Sequence, residues 1–510
     1  METTMNLASN LENSAARLPE KVAVRFEGTQ ITFSDLNRKC NRLANGLKNR
    51  GLKPGDRCIV MLPNCIELAI AYYALAKLGA VVVPVNFLFR QHELSHIIAD
   101  STPRAIIGSA DYLDEINKVL NGIDLPEILL AAGSAGDERF KKLENAFGDS
   151  DIFEIHEAES EDVLAIIYTS GTTGVPKGVM LTQNNLINMA MTAAELRGTL
   201  DPDTVVLGVL PLFHIYGINR VLNMSVYLGL TIELFYQFDP ERVINVIERE
   251  NRTVLFAVPT MCNRLVNVSQ QSLPKSNSLK FCVSGGSSLP IEILKQFAEL
   301  YNAKIFEGYG LTEAPVCVES PLGQPSRAGS IGKPIPNFSA RIIDNDRADV
   351  KPGEVGELLI KGPGVTKGYL NLPDATKKTI QDGWLHTGDI ARMDEEGYLY
   401  IVDRKKDLII RGGYNVYPRE IEEVLYQIPE IMETAVYGVS HSDLGEEIAA
   451  VIVLKEGAKT DKDTIRAFVK EKVAPYKYPR IINIINEPLP KSGSGKILKK
   501  EIKKIYQDNT

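Results

Sequence analysis

The chain is poor in the residues that staple or metallate small folds. Six cysteines (Cys40, Cys58, Cys65, Cys262, Cys282 and Cys317) and six histidines are scattered over 510 residues. None of the cysteines forms a Cys-x-x-Cys pair, and no Cys/His cluster has zinc-ligand spacing. That excludes a disulfide framework and a structural zinc site. Cys282 follows Leu279-Lys-Phe in an apolar run, so buried, reduced thiols are expected. Long hydrophobic runs are missing too. No stretch approaches the about 20 apolar residues of a membrane span, and the nearest, residues 205–232, is broken by Arg220 and several Gly and Pro. The N-terminal Met-Glu-Thr-Thr-Met lacks the basic and apolar regions of a secretory signal. Positive charge is in deficit: 57 Lys and Arg against 65 Asp and Glu leave a net −8. Nucleic acid is therefore not an expected partner, because phosphate-backbone binding is driven by Lys and Arg. A small anionic ligand remains compatible, since it needs only local positive charge. A cytoplasmic enzyme or small-molecule binding protein is expected. Peripheral membrane contact is left open, as is the choice between monomer and homodimer.

What is present is an alternation of strand-like and helix-like patterns. Leu36, Cys40, Leu43 and Leu47 share one helical face behind a candidate cap at Ser34, and the helix should stop by Gly51. Cys58–Leu62, Val81–Val85 and Arg104–Gly108 read as buried strands, with helices over Cys65–Leu78 and Gln91–Asp100. The rhythm returns at Val254–Pro259, Phe281–Ser284 and Ile305–Phe306. It predicts an α/β fold with mostly parallel sheets covered by helices. After about residue 325 the texture changes to short strands between Gly/Pro turns (Ala340–Asp344, Gly356–Lys361, Gly397–Val402), which predicts a small β-rich subdomain. From Asp403 the pattern is α+β, with a helix from Pro418, strands over Met432–Val439, Ile448–Leu454 and Ile481–Ile485, and a helix over Asp463–Val473. The expected organisation is a large N-terminal region, residues 1–402, of several subdomains, and a small mobile domain, residues 403–510. The small domain holds 19 Lys and Arg against 17 Asp and Glu. It is thus slightly basic beside an acidic large region, which suits a lid approaching an anionic ligand.

The most informative segment is Tyr168-Thr-Ser-Gly-Thr-Thr-Gly-Val-Pro-Lys-Gly178. An apolar strand, Val163–Tyr168, runs directly into Thr169, Ser170, Gly171, Thr172, Thr173 and Gly174. Such a loop offers many backbone N–H groups and hydroxyls with little bulk, which is what cradling a polyphosphate requires. Lys177 adds a cation at short range. The segment is not a Walker loop, because no Gly-Lys-Ser/Thr follows at the right spacing.

This segment resembles the phosphate-loop signature of the adenylate-forming enzymes: acyl-CoA synthetases, nonribosomal adenylation domains and firefly-type luciferases. Gly308-Tyr-Gly-Leu-Thr-Glu313 is similar to that superfamily's adenine and magnesium segment, and Gly383-Trp-Leu-His-Thr-Gly-Asp389 to its ribose segment. Asp403-Arg-Lys-Lys-Asp407 with Arg411–Ile421 resembles its hinge and following loop, and Pro490–Lys496 its catalytic C-terminal loop. These motifs stand in the superfamily's order along the whole chain.

The resemblance implies two steps. A carboxylate attacks the α-phosphorus of ATP to give acyl-AMP and pyrophosphate, and the thiol of coenzyme A then attacks the acyl carbonyl and expels AMP. It assigns Lys496, Glu313, Thr312 and His214 to catalysis. Glu313 and Thr169 would serve Mg²⁺, a hard cation suited to few carboxylates plus substrate phosphates. Nucleotide contacts would come from Thr169–Gly174, Lys177, Gly285, Gly286, Ser287, Glu307, Gly308, Tyr309, Asp389, Arg404, Gly412 and Gly413. Tyr309 would offer a flat face to adenine, and Asp389 two acceptor oxygens to the ribose hydroxyls. The small domain would turn about Lys406 between steps, bringing Arg411–Pro418 in place of Lys496. The acid pocket would comprise His214, Tyr216, Met261, Gly285 and Val316. A medium- or long-chain fatty acid is the expected substrate. An aryl or alicyclic acid, of the 4-coumarate or benzoate kind, is the alternative. A luciferase and a nucleotide-binding protein without catalysis share the motifs, although Lys496 and Glu313 speak against the latter.

Overall fold

A computed structural model describes residues 6–121, 126–133, 138–169, 175–196, 200–271, 274, 276–321, 327–493 and 495–506. Two large sheets form the first part of the chain. In one, Arg57–Met61, Val81–Pro84, Ala105–Ser109 and Ile128–Ala132 run parallel. Their continuous apolar sequences suit strands covered on both faces. Val163–Thr169 joins this sheet beside Val81–Pro84 and pairs antiparallel with Lys177–Thr182. The second sheet sets Val22–Phe26, Thr231–Leu234, Val205–Gly208, Thr253–Ala257, Leu279–Gly285 and Lys304–Leu311 side by side in parallel. Ala314–Glu319 returns antiparallel along Lys304–Leu311.

The helix Phe33–Asn49 buries Leu36, Cys40, Leu43 and Leu47 as its periodicity requires. Its cap is Thr32, not Ser34: the Thr32 side chain, at the end of an extended strand, accepts the Asp35 N–H at 3.1 Å. Ile66–Leu78 is buried around nearly its whole circumference, and the buried Lys77 in its last turn reaches Glu12 at 2.7 Å. All six cysteines are free and buried, and burial pushes the Cys58 thiol up. No helix among the described residues is long and apolar enough to cross a membrane.

A third, antiparallel sheet contains Ser339–Ile343, Val355–Lys361, Trp384–Met393 and Leu399–Arg404. Its last pairing, Asp389 with Arg404, carries this sheet two residues beyond the expected domain limit at 402. A fourth sheet follows at once, with Ile409–Arg411, Tyr414–Val416, Ile431–His441 and Gly445–Leu454 antiparallel and Ile481–Ile485 parallel to Gly445–Leu454. Pro418–Leu425 and Lys462–Lys472 close a core of Ile421, Leu425, Ile448, Ile452, Ile465 and Val469. The α/β class, the small β-rich sheet and the α+β C-terminal unit expected from sequence are all found.

Candidate active site

The strand Leu279–Gly285 ends with Gly285 in register with Gly308 of the adjacent parallel strand Lys304–Leu311. Small ligands collect at the carboxyl ends of parallel strands, and here glycines remove the side chains that would fill that end. Gly285, Gly286, Gly308, His214, Tyr216, Tyr309, Thr312, Val316 and Lys496 line a cavity of about 500 Å³, part of it open to solvent. Gly286 has φ +86°, and a Cβ there would stand 2.9 Å from Lys496 Cε. Val316 is itself held at φ +49°, a strained conformation for a β-branched residue. Its backbone N would lie 2.2 Å from a Cβ on Gly310, so this close approach needs glycine opposite.

Lys496 enters from the small domain on a turn closed by its own backbone. Ser492 N–H donates to Lys496 O (2.8 Å), Gly495 N–H to Ser492 O (2.8 Å), and Lys496 N–H to Ser492 Oγ (3.2 Å). The large region receives this turn: the Thr260 hydroxyl donates to Gly495 O at 2.9 Å, and Gly493 packs so closely on Asn86 and Phe213 that a Cβ would clash. Burial, with Arg404 and Lys406 nearby, lowers the Lys496 ammonium to about 8, against the opposing pull of Asp389 and Glu313. His214 caps the short helix Ile215–Gly217, its Nδ1 accepting the Tyr216 N–H at 3.3 Å. Burial and the Lys496 charge lower it to about 3, so it is a neutral imidazole at working pH. Tyr216 is fixed by donating its hydroxyl to Val283 O at 2.9 Å.

The nucleotide-side candidates form a second cluster. Buried Asp389 accepts the Tyr309 hydroxyl on Oδ2 (2.6 Å) and faces Arg404 Nε across Oδ1 (3.3 Å). Burial and the Asp389 charge hold the Tyr309 hydroxyl protonated, well above its usual range. Glu313 accepts the Tyr369 hydroxyl on Oε1 at 2.8 Å, and the Lys177 ammonium lies 4.8 Å from the Tyr369 ring centre. Thr169 pairs with Lys177 across the hairpin. No cluster of three or more His, Cys, Asp or Glu converges among the described residues. This single-carboxylate donor set still fits Mg²⁺, which is commonly held by one or two carboxylates and by substrate phosphates.

Ser170, Gly171, Thr172, Thr173 and Gly174 lie outside the described residues. Met261, Ser287, Glu307, Gly412 and Gly413 are not among the residues lining this cavity. Met261 is buried in the core, and Val258 lines a smaller neighbouring pocket with His214, Tyr216 and Lys496. Ser287 is exposed beyond the turn. Glu307 does not line this cavity: its buried carboxylate sits under the turn at Leu289, whose N–H donates to Oε2 at 3.1 Å. Burial raises that carboxyl to about 7 despite the nearby Arg419. Gly412 and Gly413 sit in an exposed hairpin turn between Ile409–Arg411 and Tyr414–Val416. Lys406 occupies the turn between the third and fourth sheets, where Asp407 N–H closes onto Arg404 O at 3.0 Å.

Two features escaped sequence reasoning. Tyr369 is distant in sequence from every motif, and only the fold brings it to Glu313. Arg220 was noticeable only as a charge interrupting an apolar stretch. It stands on a π-helical turn, Ile218–Asn223, and pairs with Glu319, each side chain being 1% exposed. Both residues line the cavity. Burial lowers Arg220 to about 10, which leaves it a cation at neutral pH.

The AMP-binding enzyme family matches residues 11–370, and the AMP-binding enzyme C-terminal domain matches residues 420–496. A long-chain-fatty-acid–CoA ligase of Bacillus subtilis (strain 168) is 38% identical over 99% of this chain and 95% of its own length. A feruloyl-CoA synthase of an Amycolatopsis species is 35% identical over 96% of each chain. Among solved structures, ATP-bound MatB from Rhodopseudomonas palustris superposes with a TM-score of 0.90 at 30% identity, over 99% of this chain and 100% of that one. With both parts matched and nearly the full length aligned, the chain belongs to the AMP-binding enzyme family, the adenylate-forming superfamily that its motifs resemble.

Proposed function

We propose that this AMP-forming acid–CoA ligase, which uses ATP, Mg²⁺ and coenzyme A, takes a medium- or long-chain fatty acid. The observation carrying this reading is the cavity opened by Gly285 and Gly308, whose walls include Ile215, Val283, Leu311, Pro315 and Val316. The likeness to the Bacillus subtilis long-chain-fatty-acid–CoA ligase supports it. An aryl acid is the second reading, favoured by the likeness to the feruloyl-CoA synthase.

In the first step the acid's carboxylate oxygen bonds to the α-phosphorus and the bond to pyrophosphate breaks. Reactions of this kind depend on positioning and on neutralising charge. Lys496 supplies a cation at the end of the acid cavity, and Thr312 a hydroxyl. Neutral His214 shapes the carboxylate end without adding charge. Tyr309 presents its ring to adenine, tied to Asp389, whose oxygens with Arg404 address the ribose. Mg²⁺, when bound by Glu313 and Thr169, offsets phosphate charge. In the second step the thiol attacks the acyl carbonyl and AMP leaves, after residues 403–510 turn about Lys406 and carry Gly412 and Gly413 inward.

Acids from C2 to C18, with benzoate and 4-coumarate, test the choice through CoA consumption. Each buried methylene contributes about 0.8 kcal/mol, so kcat/KM should rise about fourfold per CH₂ until the cavity is full. A ring acid outperforming every straight chain by about tenfold would replace the fatty-acid reading with the aryl one.

A further inference from the structure

The walls of the acid cavity are not hydrocarbon alone. Arg220 and Glu319 line it together, on opposite elements: the π-helical turn Ile218–Asn223 and the return strand Ala314–Glu319. π-Helical turns tend to occur where a function needs a side chain re-aimed. Glu319 is cross-strand to Gly308, and a Cβ on that glycine would lie 3.6 Å from Glu319 Cγ. The carboxylate therefore rests against the same glycine edge that opens the slot. Arg220 Nη2 donates to Glu319 Oε2, yet the buried Arg220 Nε and Nη1 have no acceptor among the described residues. A buried donor left without a partner is costly, more so on a charged group. An alkyl chain reaching this point would leave those donors unpaired and add apolar surface against them.

We propose that Arg220 is a specificity-determining residue whose free N–H groups receive a neutral oxygen acceptor at the distal end of the acyl chain. This inference rests on the acid-cavity reading above and names the kind of acid the cavity takes: one ending in a carbonyl, ether or hydroxyl rather than a methyl. A second carboxylate suits the subsite less. It would place two anions on one buried cation, and burying uncompensated charge costs more than pairing returns.

The experiment measures kcat/KM for pyrophosphate release by the full chain. Straight alkanoates from C4 to C12 are compared with the oxo, ω-hydroxy and α,ω-dicarboxylic acids of the same length, and cinnamate with 4-coumarate. At one length the neutral oxygenated acid should exceed its alkanoate by about tenfold or more, as for hydrogen bonds to a charged group. The diacid should not exceed it. Removing one partner would strand the other's charge, so the variant is Arg220→Leu/Glu319→Leu, which replaces both by apolar groups. It should abolish the preference while the KM for ATP stays within about twofold, because only uniform acid binding has been altered. Oxygenated acids that gain nothing at any length, or a preference that survives the double substitution, overturn the proposal. Should the variant not fold, the wild-type panel decides alone. The two readings fail separately. Alkanoates that win throughout sink the subsite and keep the fatty-acid reading. A 4-coumarate-over-cinnamate preference above all chains keeps the subsite and sinks the fatty-acid reading.

Discussion

Lys496→Ala provides the most direct test of the site. The wild-type ammonium is fixed by the Ser492–Lys496 turn, docked on Thr260, and placed in the cavity beside Gly286. A preorganised charge that stabilises the transition state typically contributes about 10²–10³ in rate, so acyl-AMP formation, followed by ATP–pyrophosphate exchange, should fall by about that factor. Thioester formation from supplied acyl-AMP should survive far better. The pH dependence adds a second readout. The folded pKa is lowered to about 8, so the charge is present below that pH and lost as pH rises through it. At subsaturating ATP the profile reports the free enzyme, and kcat/KM for the first step should decline above about pH 8, with about a tenth of the charge left one unit higher. Saturating ATP brings anionic phosphates to the lysine and should shift the limb to higher pH. Lys496→Arg, always protonated, should remove the limb even if its rate is low, and Lys496→Ala should show none. Equal loss in both steps, or an alkaline limb that persists in the alanine variant, would refute the assignment.

Other perturbations separate the remaining roles. Gly286→Ala sets a Cβ 2.9 Å from Lys496 Cε at φ +86°. It should slow the first step by displacing the lysine, while thioester formation from supplied acyl-AMP changes little; an unimpaired exchange rate would contradict the packing argument. Asp389→Ala removes the acceptor of the Tyr309 hydroxyl and the one proposed for the ribose, and hydrogen bonds to charged groups contribute roughly 1.5–3 kcal/mol. The KM for ATP should rise about 10- to 100-fold, with the KM for the acid much less affected; the reverse pattern would sink the ribose assignment. Lys406→Pro fixes φ at the turn between the third and fourth sheets. It should leave acyl-AMP formation intact and slow thioester formation, and an unchanged second step would move the hinge elsewhere.

Much of this was legible because it is local. Apolar runs such as Cys58–Leu62 and Val81–Val85 appear as strands within a residue or two, since a strand buried on both faces needs continuous hydrophobicity. Lys496, Tyr309, Asp389, Glu313 and Thr312 could be singled out because glycines and turn residues around them form recognisable segments. Where only one residue supported an expectation, neighbours decided otherwise. Ser34 yielded the cap to Thr32, because the residue at the end of the strand has the extended backbone a cap needs. Glu307 adjoins the adenine segment, but its carboxylate is taken up by the Leu289 N–H.

The order of the segments along the chain, the glycine openings and the switch from parallel α/β to antiparallel texture are properties of sequence, since each depends on a residue's own backbone preferences or on near neighbours. The tertiary structure alone decided which distant residues meet. It placed Tyr369 on Glu313, seated Gly493 against Asn86 and Phe213, and kept Gly412 and Gly413 away from the cavity that Lys496 lines. Above all, it joined Arg220 to Glu319, 99 residues apart, at the cavity wall. A charge inside an apolar stretch reads from sequence only as an interruption. Its partner exists only once the sheets and the helix between them have packed.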